Sequence, residues 1–144
     1  MVSRESARPR ASYRWFDRIS MRWADNDAYG HVNNTVYYAW FDTAVNRWLV
    51  ETGLLDIEQG DPIGLVVATG CSYFAPLNFP GEVEVGIAVE RLGRSSVTYR
   101  LGVFAPDQDE PSAQGHFTHV YVDRTERRPT TLPDSWRARL ETIA

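Results

Sequence analysis

The stretch TVYYAWFDTAVNRWLVE, residues 35–51, decides the fold class of this chain. Its apolar residues recur at intervals of three and four, the spacing that places side chains on one face of a helix. They are Val36, Tyr37, Trp40, Phe41, Ala44, Val45, Trp48 and Leu49. Asn33 or Asn34 is a suitable N-cap, and Gly53 is a suitable end. Because this stripe is broad and aromatic, the pattern predicts a long helix that the rest of the chain nearly encloses.

The rest of the chain carries the signals of β-strands. Residues 82–92, EVEVGIAVERL, alternate between apolar and polar side chains, which is the period of a half-buried strand. Further strands are predicted over residues 13–23, 65–75, 96–105 and 116–124, and a short helix over residues 132–143. The order of elements is one strand, a long helix, four strands and a terminal helix. This order predicts an α+β domain, with a mostly antiparallel sheet around the long helix.

The length of 144 residues fits one domain. We expect residues 1–12, MVSRESARPRAS, to form a disordered tail and residues 13–144 to form the domain. The tail is rich in arginine but has no apolar core segment, so it does not have the pattern of a secretory signal. No apolar run approaches the roughly 18 residues needed to cross a bilayer. We therefore predict a cytoplasmic protein without membrane insertion.

Charge and composition argue against several other classes of protein. The net charge is −4, which disfavours nucleic-acid binding. The single cysteine excludes an internal disulfide and a multi-cysteine metal site, and the three histidines are too few and scattered for a metal centre. There is no Gly-x-Ser-x-Gly elbow and no P-loop, so the sequence lacks the motifs that would indicate a serine hydrolase or an NTPase. The sequence therefore predicts no metal and no cofactor.

Residues 23–34, WADNDAYGHVNN, concentrate polar groups where the first strand leads into the long helix. Asp25 and Asp27 both favour turns, and turn formation is the simpler interpretation for Asp25. Asp27 stands nearer the helix start, where free N–H groups and the helix dipole favour a negative charge. A carboxylate there can activate a water molecule or attack a substrate, so Asp27 is the candidate catalytic residue.

The same loop offers partners for such a carboxylate. Gly30 lets the backbone come close to a ligand, and His31 is a rival base. Asn33 and Asn34 are caps by default, and at least one backbone N–H group beside them is a candidate oxyanion donor. The loop thus supplies a base or nucleophile and a possible oxyanion hole without a metal.

A second group of polar residues surrounds the predicted turn GRS, residues 93–95. Arg91 and Arg94 stand near Ser95 and the backbone amides of the turn. The simpler interpretation is a solvated edge of the sheet. The alternative is a clamp for a phosphate group, which arginine can bind through two parallel hydrogen bonds.

Residues 22–49, RWADNDAYGHVNNTVYYAWFDTAVNRWL, resemble the signature of the hotdog-fold thioesterases of the 4-hydroxybenzoyl-CoA thioesterase type. That signature is an Asp-x-Asp-x-x-Gly-(His) loop followed by Asn, Tyr and an aromatic-rich helix. Residues 73–85 and 90–100 resemble later segments of the family more weakly. The resemblance implies a curved five-stranded antiparallel sheet around one long helix. It also implies a homodimer with a continuous sheet, or a homotetramer.

The resemblance further implies a reaction, the hydrolysis of an acyl-CoA thioester. Asp27 matches the catalytic aspartate of the family, acting as general base or as nucleophile. Asn34 matches the position whose backbone N–H group polarises the thioester carbonyl. Arg91, Arg94 and Ser95 fall in the hairpin that often meets the CoA nucleotide. Coenzyme A would then be part of the substrate, and no separate cofactor is implied.

Two alternatives to hydrolysis remain open at this point. One is a hotdog enoyl-CoA hydratase, but Asn78 stands where related dehydratases carry a histidine. The other is a module that binds acyl-CoA or an acyl carrier without catalysis. The carboxylate of Asp27 favours catalysis, because a negative charge beside the thioester adds nothing obvious to the binding of an anionic ligand.

Overall fold

The structure, a computed structural model, describes residues 5–144. Its strands are β1 Trp15–Ser20, β2 Ile63–Tyr73, β3 Glu82–Leu92, β4 Ser96–Phe104 and β5 Ala113–Val122. Its helices are α1 Val36–Glu51 and α2 Asp134–Glu141, and short 3-10 turns cover Arg10–Ser12 and Trp23–Asp25. The predicted elements all occur in the predicted order. No helix within the described residues is long and apolar enough to cross a membrane.

The strands form one antiparallel sheet in the order β1-β3-β4-β5-β2. Its centre is made of β3, β4 and β5, which follow one another in the chain. β1 joins beside β3, and β2 joins beside β5. The predicted hotdog fold with a five-stranded antiparallel sheet is therefore confirmed, and β1 and β2 are the edges of the sheet.

α1 packs across the inner face of the sheet and contacts β1, β2, β3 and β4. Its residues Phe41 and Val45 are fully buried, as the apolar stripe predicts. Near the start of α1, Tyr37 packs edge-to-face on Tyr73 at the end of β2, with ring centroids 5.0 Å apart. Towards its other end, the Arg47 guanidinium lies 3.0 Å from a carboxylate oxygen of β1. The helix therefore crosses the sheet diagonally, from the end of β2 to β1.

The outer face of the sheet is covered by the segment that precedes β1. The ring of Tyr13 is buried against Phe104 of β4, with centroids 5.6 Å apart. The Arg100 guanidinium lies 5.2 Å from the centre of the Tyr13 ring and donates a hydrogen bond to the Ser12 carbonyl at 3.1 Å. This second apolar cluster covers part of the face that α1 does not reach.

The segment predicted as a disordered tail, residues 1–12, lies partly outside the description, which begins after residues 1–4. The rest of it has defined contacts. The Arg8 backbone N–H donates to the side-chain oxygen of Gln114 at 2.7 Å, and the Gln114 amide donates to the Ser6 carbonyl at 3.0 Å. Gln114 is buried on the outer face, so its amide needs such partners. In the described part, the segment packs against the sheet and does not extend from it.

The edge strand β2 exposes apolar side chains. Leu65, Val66 and Val67 are 39%, 49% and 59% exposed. The register with β5 shifts between Val66 and Ala68, so Val67 is the extra residue of a β-bulge. An exposed apolar edge of this length is a surface on which another strand can pair.

Candidate functional site

The loop after β1 is fixed by the buried carboxylate of Asp25. This residue is 1% exposed. Its oxygens accept the Arg22 backbone N–H at 2.7 Å and the Arg22 guanidinium at 2.8 Å. Its carbonyl accepts the Asn33 N–H at 2.8 Å, which joins the two ends of the loop. With its oxygens engaged in this way, Asp25 acts as a scaffold, in agreement with the simpler interpretation of its sequence position.

Asp27 occupies a tight turn two residues later and is half-buried. Its backbone N–H donates to the His31 carbonyl at 2.8 Å, and its Oδ1 accepts the Tyr29 N–H at 2.8 Å. Gly30 adopts a φ of 83°, a left-handed conformation that favours glycine. Among the described residues, the second carboxylate oxygen of Asp27 has no hydrogen-bond partner. The turn therefore holds this carboxylate by one oxygen and leaves the other free.

The helix start differs from the predicted N-cap. α1 begins at Val36 after Thr35, whose side chain makes no capping hydrogen bond, so the assignment of Asn33 or Asn34 to the N-cap position is wrong. The Asn33 side chain still does capping chemistry, because its Oδ1 accepts the Thr35 N–H at 3.0 Å. The reason for the shift is an extra turn formed by residues 34–35 before the regular helix.

The N–H group of Asn34 is left without an acceptor in the part of the chain that the structure describes. Its neighbours are all engaged. The N–H groups of Val32, Asn33, Thr35 and Val36 donate to Leu77, Asp25 and Asn33, all within 3.0 Å. A free N–H at the first turn of a helix is a suitable donor for an anion or a polarised carbonyl oxygen.

Asp27 and Asn34 line one cleft of about 410 Å³ at the start of α1. Its other lining residues are His31, Val32, Asn33, Tyr37, Tyr73, Phe74, Ala75 and Pro76. His31 is exposed, so it stands at the rim of the cleft. Within residues 5–144, no group of three His, Cys, Asp or Glu side chains could hold a metal ion.

Tyr73 has a role in this cleft that the sequence did not indicate. Its hydroxyl donates to the Asn34 carbonyl at 2.8 Å. Burial and the nearby Cys71 raise the pKa of the Tyr73 hydroxyl well above its usual range, so it stays a donor at neutral pH. The two residues are 39 positions apart in the chain, and no local pattern connects them. The contact orients the peptide group next to the free Asn34 N–H.

The predicted phosphate-contacting residues lie at the other end of the sheet. β3 begins at Glu82, which pairs with Ser20 just before the Asp27 loop, and Arg91, Arg94 and Ser95 follow at its far end. There the Arg94 side chain donates to Thr131 at 2.9 Å, and Arg91 is exposed. Within one protomer, the structure does not bring these three residues to the cleft. The sequence could not indicate this, because it does not show at which end of the sheet each turn lies.

Comparison with known proteins gives the class that this fold and cleft define. The chain matches the thioesterase-like superfamily over residues 21–140, and it belongs to that superfamily. The predicted resemblance is thereby confirmed at the level of the superfamily. The narrower 4-hydroxybenzoyl-CoA thioesterase type stays a prediction.

Solved structures give the same picture. The PA5185 protein from Pseudomonas aeruginosa strain PAO1 is 51% identical, with 96% of each chain covered and a TM-score of 0.92. The PA2801 protein from Pseudomonas aeruginosa is 33% identical over 85% of this chain and 95% of that chain, with a TM-score of 0.79. Slr0204, a 1,4-dihydroxy-2-naphthoyl-CoA thioesterase from Synechocystis, is 19% identical over 87% and 93% of the two chains, with a TM-score of 0.75. This last likeness is one of fold.

Proposed function

We propose that this protein hydrolyses acyl-CoA thioesters to a free acid and coenzyme A. One observation carries the proposal. Asp27, whose carboxylate has one oxygen without a partner, and Asn34, whose N–H group is free, line the same cleft. A thioester needs an attacking oxygen and a donor for its carbonyl oxygen, and these two groups supply both. Membership of the thioesterase-like superfamily and the name of Slr0204 support the same reaction.

In the proposed reaction, the thioester carbonyl oxygen accepts the Asn34 N–H. The helix start adds the partial positive charge of its aligned peptide dipoles, which stabilises the oxyanion. The free oxygen of Asp27 then takes a proton from a water molecule as the water oxygen attacks the carbonyl carbon. The tetrahedral intermediate collapses, the carbon–sulfur bond breaks, and the proton passes to the sulfur of coenzyme A.

A second route uses the same groups in a different order. The Asp27 oxygen attacks the carbonyl carbon directly, the coenzyme A thiolate leaves, and water hydrolyses the resulting mixed anhydride. Both routes give the same products. Hydrolysis in water labelled with ¹⁸O separates them, because only the anhydride route can carry the label into the Asp27 carboxylate.

We propose further that two chains pair through their β2 edges as a homodimer. The exposed stretch from Leu65 to Val67 supports this, since pairing would cover apolar side chains that one chain leaves in water. An antiparallel pair of β2 strands brings the partner's β3–β4 turn to the cleft end of the combined sheet. Arg91, Arg94 and Ser95 could then approach the CoA nucleotide of the neighbouring cleft.

The replacement of Asp27 by Asn tests the catalytic assignment. Asn keeps an oxygen for the Tyr29 N–H but removes the charge and the basicity. We expect kcat for thiol release from acyl-CoA to fall by about 10²- to 10⁴-fold, the usual contribution of general acid–base catalysis. His31→Gln removes the rival base at the rim of the same cleft, and we expect it to keep kcat within about tenfold of the parent.

Steady-state kinetics with a screen of short, long and aromatic acyl-CoAs make this measurement. Circular dichroism shows whether both variants keep the fold. Parental turnover in Asp27→Asn, or a greater loss in His31→Gln than in Asp27→Asn, would refute the role given to Asp27.

The same screen separates hydrolysis from the two alternatives. A binding module would retain acyl-CoA without releasing thiol. An enoyl-CoA hydratase would add water to a conjugated double bond and leave the thioester intact. Asn78, which stands where that chemistry would need a histidine, is exposed in the turn before β3 and does not line the cleft.

A further inference from the structure

A second, larger cavity of about 710 Å³ lies beyond the cleft. It opens between the later turns of α1, the start of β2, the end of β5 and α2, and it shares no lining residue with the cleft. Its apolar walls are Leu49, Val50, Leu55, Ile57, Ile63 and Trp136.

A chain of three buried polar groups ends at this cavity. The hydroxyls of Tyr99 and Tyr121 lie 2.8 Å apart, and the Tyr121 hydroxyl lies 3.2 Å from Nδ1 of His119. Tyr99 and Tyr121 are fully buried, and His119 is 3% exposed. His119 and Tyr121 line the cavity, whereas Tyr99 lies behind them in β4.

The direction of these hydrogen bonds follows from the buried end of the chain. Among the described residues, the Tyr99 hydroxyl has Tyr121 as its only hydrogen-bond partner. A buried hydroxyl proton without an acceptor is costly, so Tyr99 donates to Tyr121. The Tyr121 hydroxyl must then donate its own proton to Nδ1 of His119. The imidazole proton is therefore on Nε2.

The imidazole is also uncharged. Burial lowers the pKa of His119 to about 4, so the ring is neutral at pH 7. Nε2 has no hydrogen-bond partner within residues 5–144. Gly64 makes room beside the ring, because a Cβ at that position would lie 3.0 Å from Nδ1. The cavity therefore presents a neutral N–H donor beside its apolar walls. Its lining also includes polar and charged side chains, which are Asp42, Thr43, Asn46, Arg47, Glu51 and Arg124.

We propose that this cavity binds the acyl part of the substrate and that His119 donates from Nε2 to an acceptor oxygen on that acyl group. The inference rests on the proposed thioesterase function and deepens it by naming a substrate class. Acyl groups that carry a carbonyl or hydroxyl oxygen far from the thioester are favoured over pure hydrocarbons. A hydrocarbon chain would leave the His119 N–H group without an acceptor, and this cost makes the site select against hydrocarbons.

The cavity and the cleft meet across the proposed dimer. Within one chain they lie at opposite ends of β2, since Ile63 lines the cavity and Tyr73 lines the cleft. We place the two-fold axis of the proposed dimer at Val67, which is the bulge residue of β2 and is more exposed than Leu65 and Val66, so that the paired β2 strands run antiparallel. It sets the partner's Ile63 opposite Cys71, next to the cleft. His119 therefore serves the Asp27 of the other protomer.

A binding experiment with two matched ligands tests the donor. The ligands are thioether analogues of acyl-CoA with equal chain length, which cannot be hydrolysed. One carries a keto oxygen near the free end of the chain and the other is a hydrocarbon. By calorimetry, we expect the parent protein to bind the keto analogue about threefold to tenfold more tightly, the value of one net hydrogen bond. His119→Phe should bring the ratio of dissociation constants close to one.

His116→Phe is the matched control, because His116 lies exposed on the other face of β5 and should leave the ratio unchanged. Equal affinities of the parent for the two ligands overturn the inference, as does an unchanged ratio in His119→Phe.

If His119→Phe does not fold, ¹⁵N NMR on the His116→Phe protein reads the ring directly. We expect a neutral ring that is protonated on Nε2. Its resonance should move when the keto analogue binds. A ring protonated on Nδ1, or an unmoved resonance, overturns the inference.

Mixed dimers test the sharing between protomers. In a dimer of one Asp27→Asn chain and one His119→Phe chain, the only active carboxylate belongs to the His119→Phe chain. We expect hydrolysis in this dimer to keep the keto preference, because the other chain supplies His119. Loss of the preference would place the cavity and the carboxylate in one chain. If the parent protein releases no thiol but still binds the keto analogue more tightly than the hydrocarbon analogue, the proposed function is refuted and the cavity assignment stands.

Discussion

His119 links the buried polar chain to the stability of the whole fold. In the folded protein its pKa is lowered to about 4 by burial, whereas in the unfolded chain it returns to about 6.5. Between these values the unfolded chain takes up a proton that the folded protein does not. The free energy of unfolding therefore falls as the pH drops from about 6.5 to about 4, by at most about 1.4 kcal/mol per pH unit for this residue. Above about pH 6.5 the full stability is present.

Urea unfolding at about pH 7 and about pH 5 measures this dependence. We expect His119→Phe to lose part of the pH dependence of the parent, and His116→Phe to keep it. The charged groups around the cavity, Asp42, Arg47, Glu51 and Arg124, are the same in all three proteins. Identical pH dependence in the parent and His119→Phe would contradict the assignment of a buried neutral ring.

At this scale the sequence predicts the groups of the loop but not the contacts between distant strands. The proximity of Asp27 to the helix start could be seen in the order of residues. The residue pattern alone indicated an N–H group beside Asn33 and Asn34, because each amide's partner depends on the folded loop, and only the family resemblance pointed to Asn34. The Tyr73 hydroxyl and the Tyr99–Tyr121–His119 chain could not be predicted, since they join side chains from separate strands.

At the scale of elements, the close packing of α1 on the sheet depends on Gly115 of β5, which lies under the Phe41 ring of α1. A Cβ at Gly115 would collide with the Gly70 carbonyl of β2 and with the Phe41 ring of α1. The carbonyl belongs to the backbone of a paired strand and cannot move aside easily. We expect Gly115→Ala to lower the free energy of unfolding by about 1–3 kcal/mol, the usual effect of overpacking.

Gly70→Ala is the matched control, because the three atoms nearest to its Cβ all belong to the exposed side chain of His116, which can rotate away. Chemical denaturation of the two variants gives the comparison. A smaller loss in Gly115→Ala than in Gly70→Ala would contradict the close packing of α1 on β5.

The elements themselves were predicted well where their patterns were strong. The strand predicted over residues 82–92 has the observed bounds, because both its alternation and its turn signals are clear. β5 starts at Ala113, three residues before the strand predicted over residues 116–124. There the ladder hydrogen bonds to β2 and β4 outweigh the weak strand preference of Gln114 and Gly115. The first strand ends at Ser20, and a 3-10 turn begins at Trp23, the last residue of the predicted strand.

At the scale of the whole molecule, the β2 edge is the surface through which we propose that two chains pair. Val67→Arg places a charge on the bulge residue, which is the most exposed residue of the stretch from Leu65 to Val67. We expect it to convert the proposed homodimer into a monomer, since charges on an edge strand oppose pairing. Light scattering after gel filtration gives the mass in solution.

Ala138→Arg adds the same charge on the exposed face of α2 and should leave the mass unchanged. A parental mass of one chain, or a dimeric Val67→Arg protein, would contradict pairing through β2.

The architecture of the molecule could be predicted from residues 22–49 together with the alternating strands. The placement of the turns at the two ends of the sheet could not be predicted, because a sequence does not show which turns lie at the same end. The Arg91–Ser95 turn therefore had to be located by the structure. The packing of residues 5–12 against the outer face also depends on Gln114, which is more than 100 positions away.

The short strand β1 has a consequence for assembly beyond two chains. Pairing of the β2 strands around a two-fold axis uses both long apolar edges and leaves two copies of β1 at the outside. β1 has only six residues, and Arg18 on it lies within 4.0 Å of carboxylate oxygens of Glu82 and Glu84 on β3. A short edge with charged side chains is a poor template for further strands. The chain thus has one edge on which a strand can pair and one that resists pairing. If two chains pair through β2 as proposed, we expect the assembly to close at that point and not to continue into a fibre.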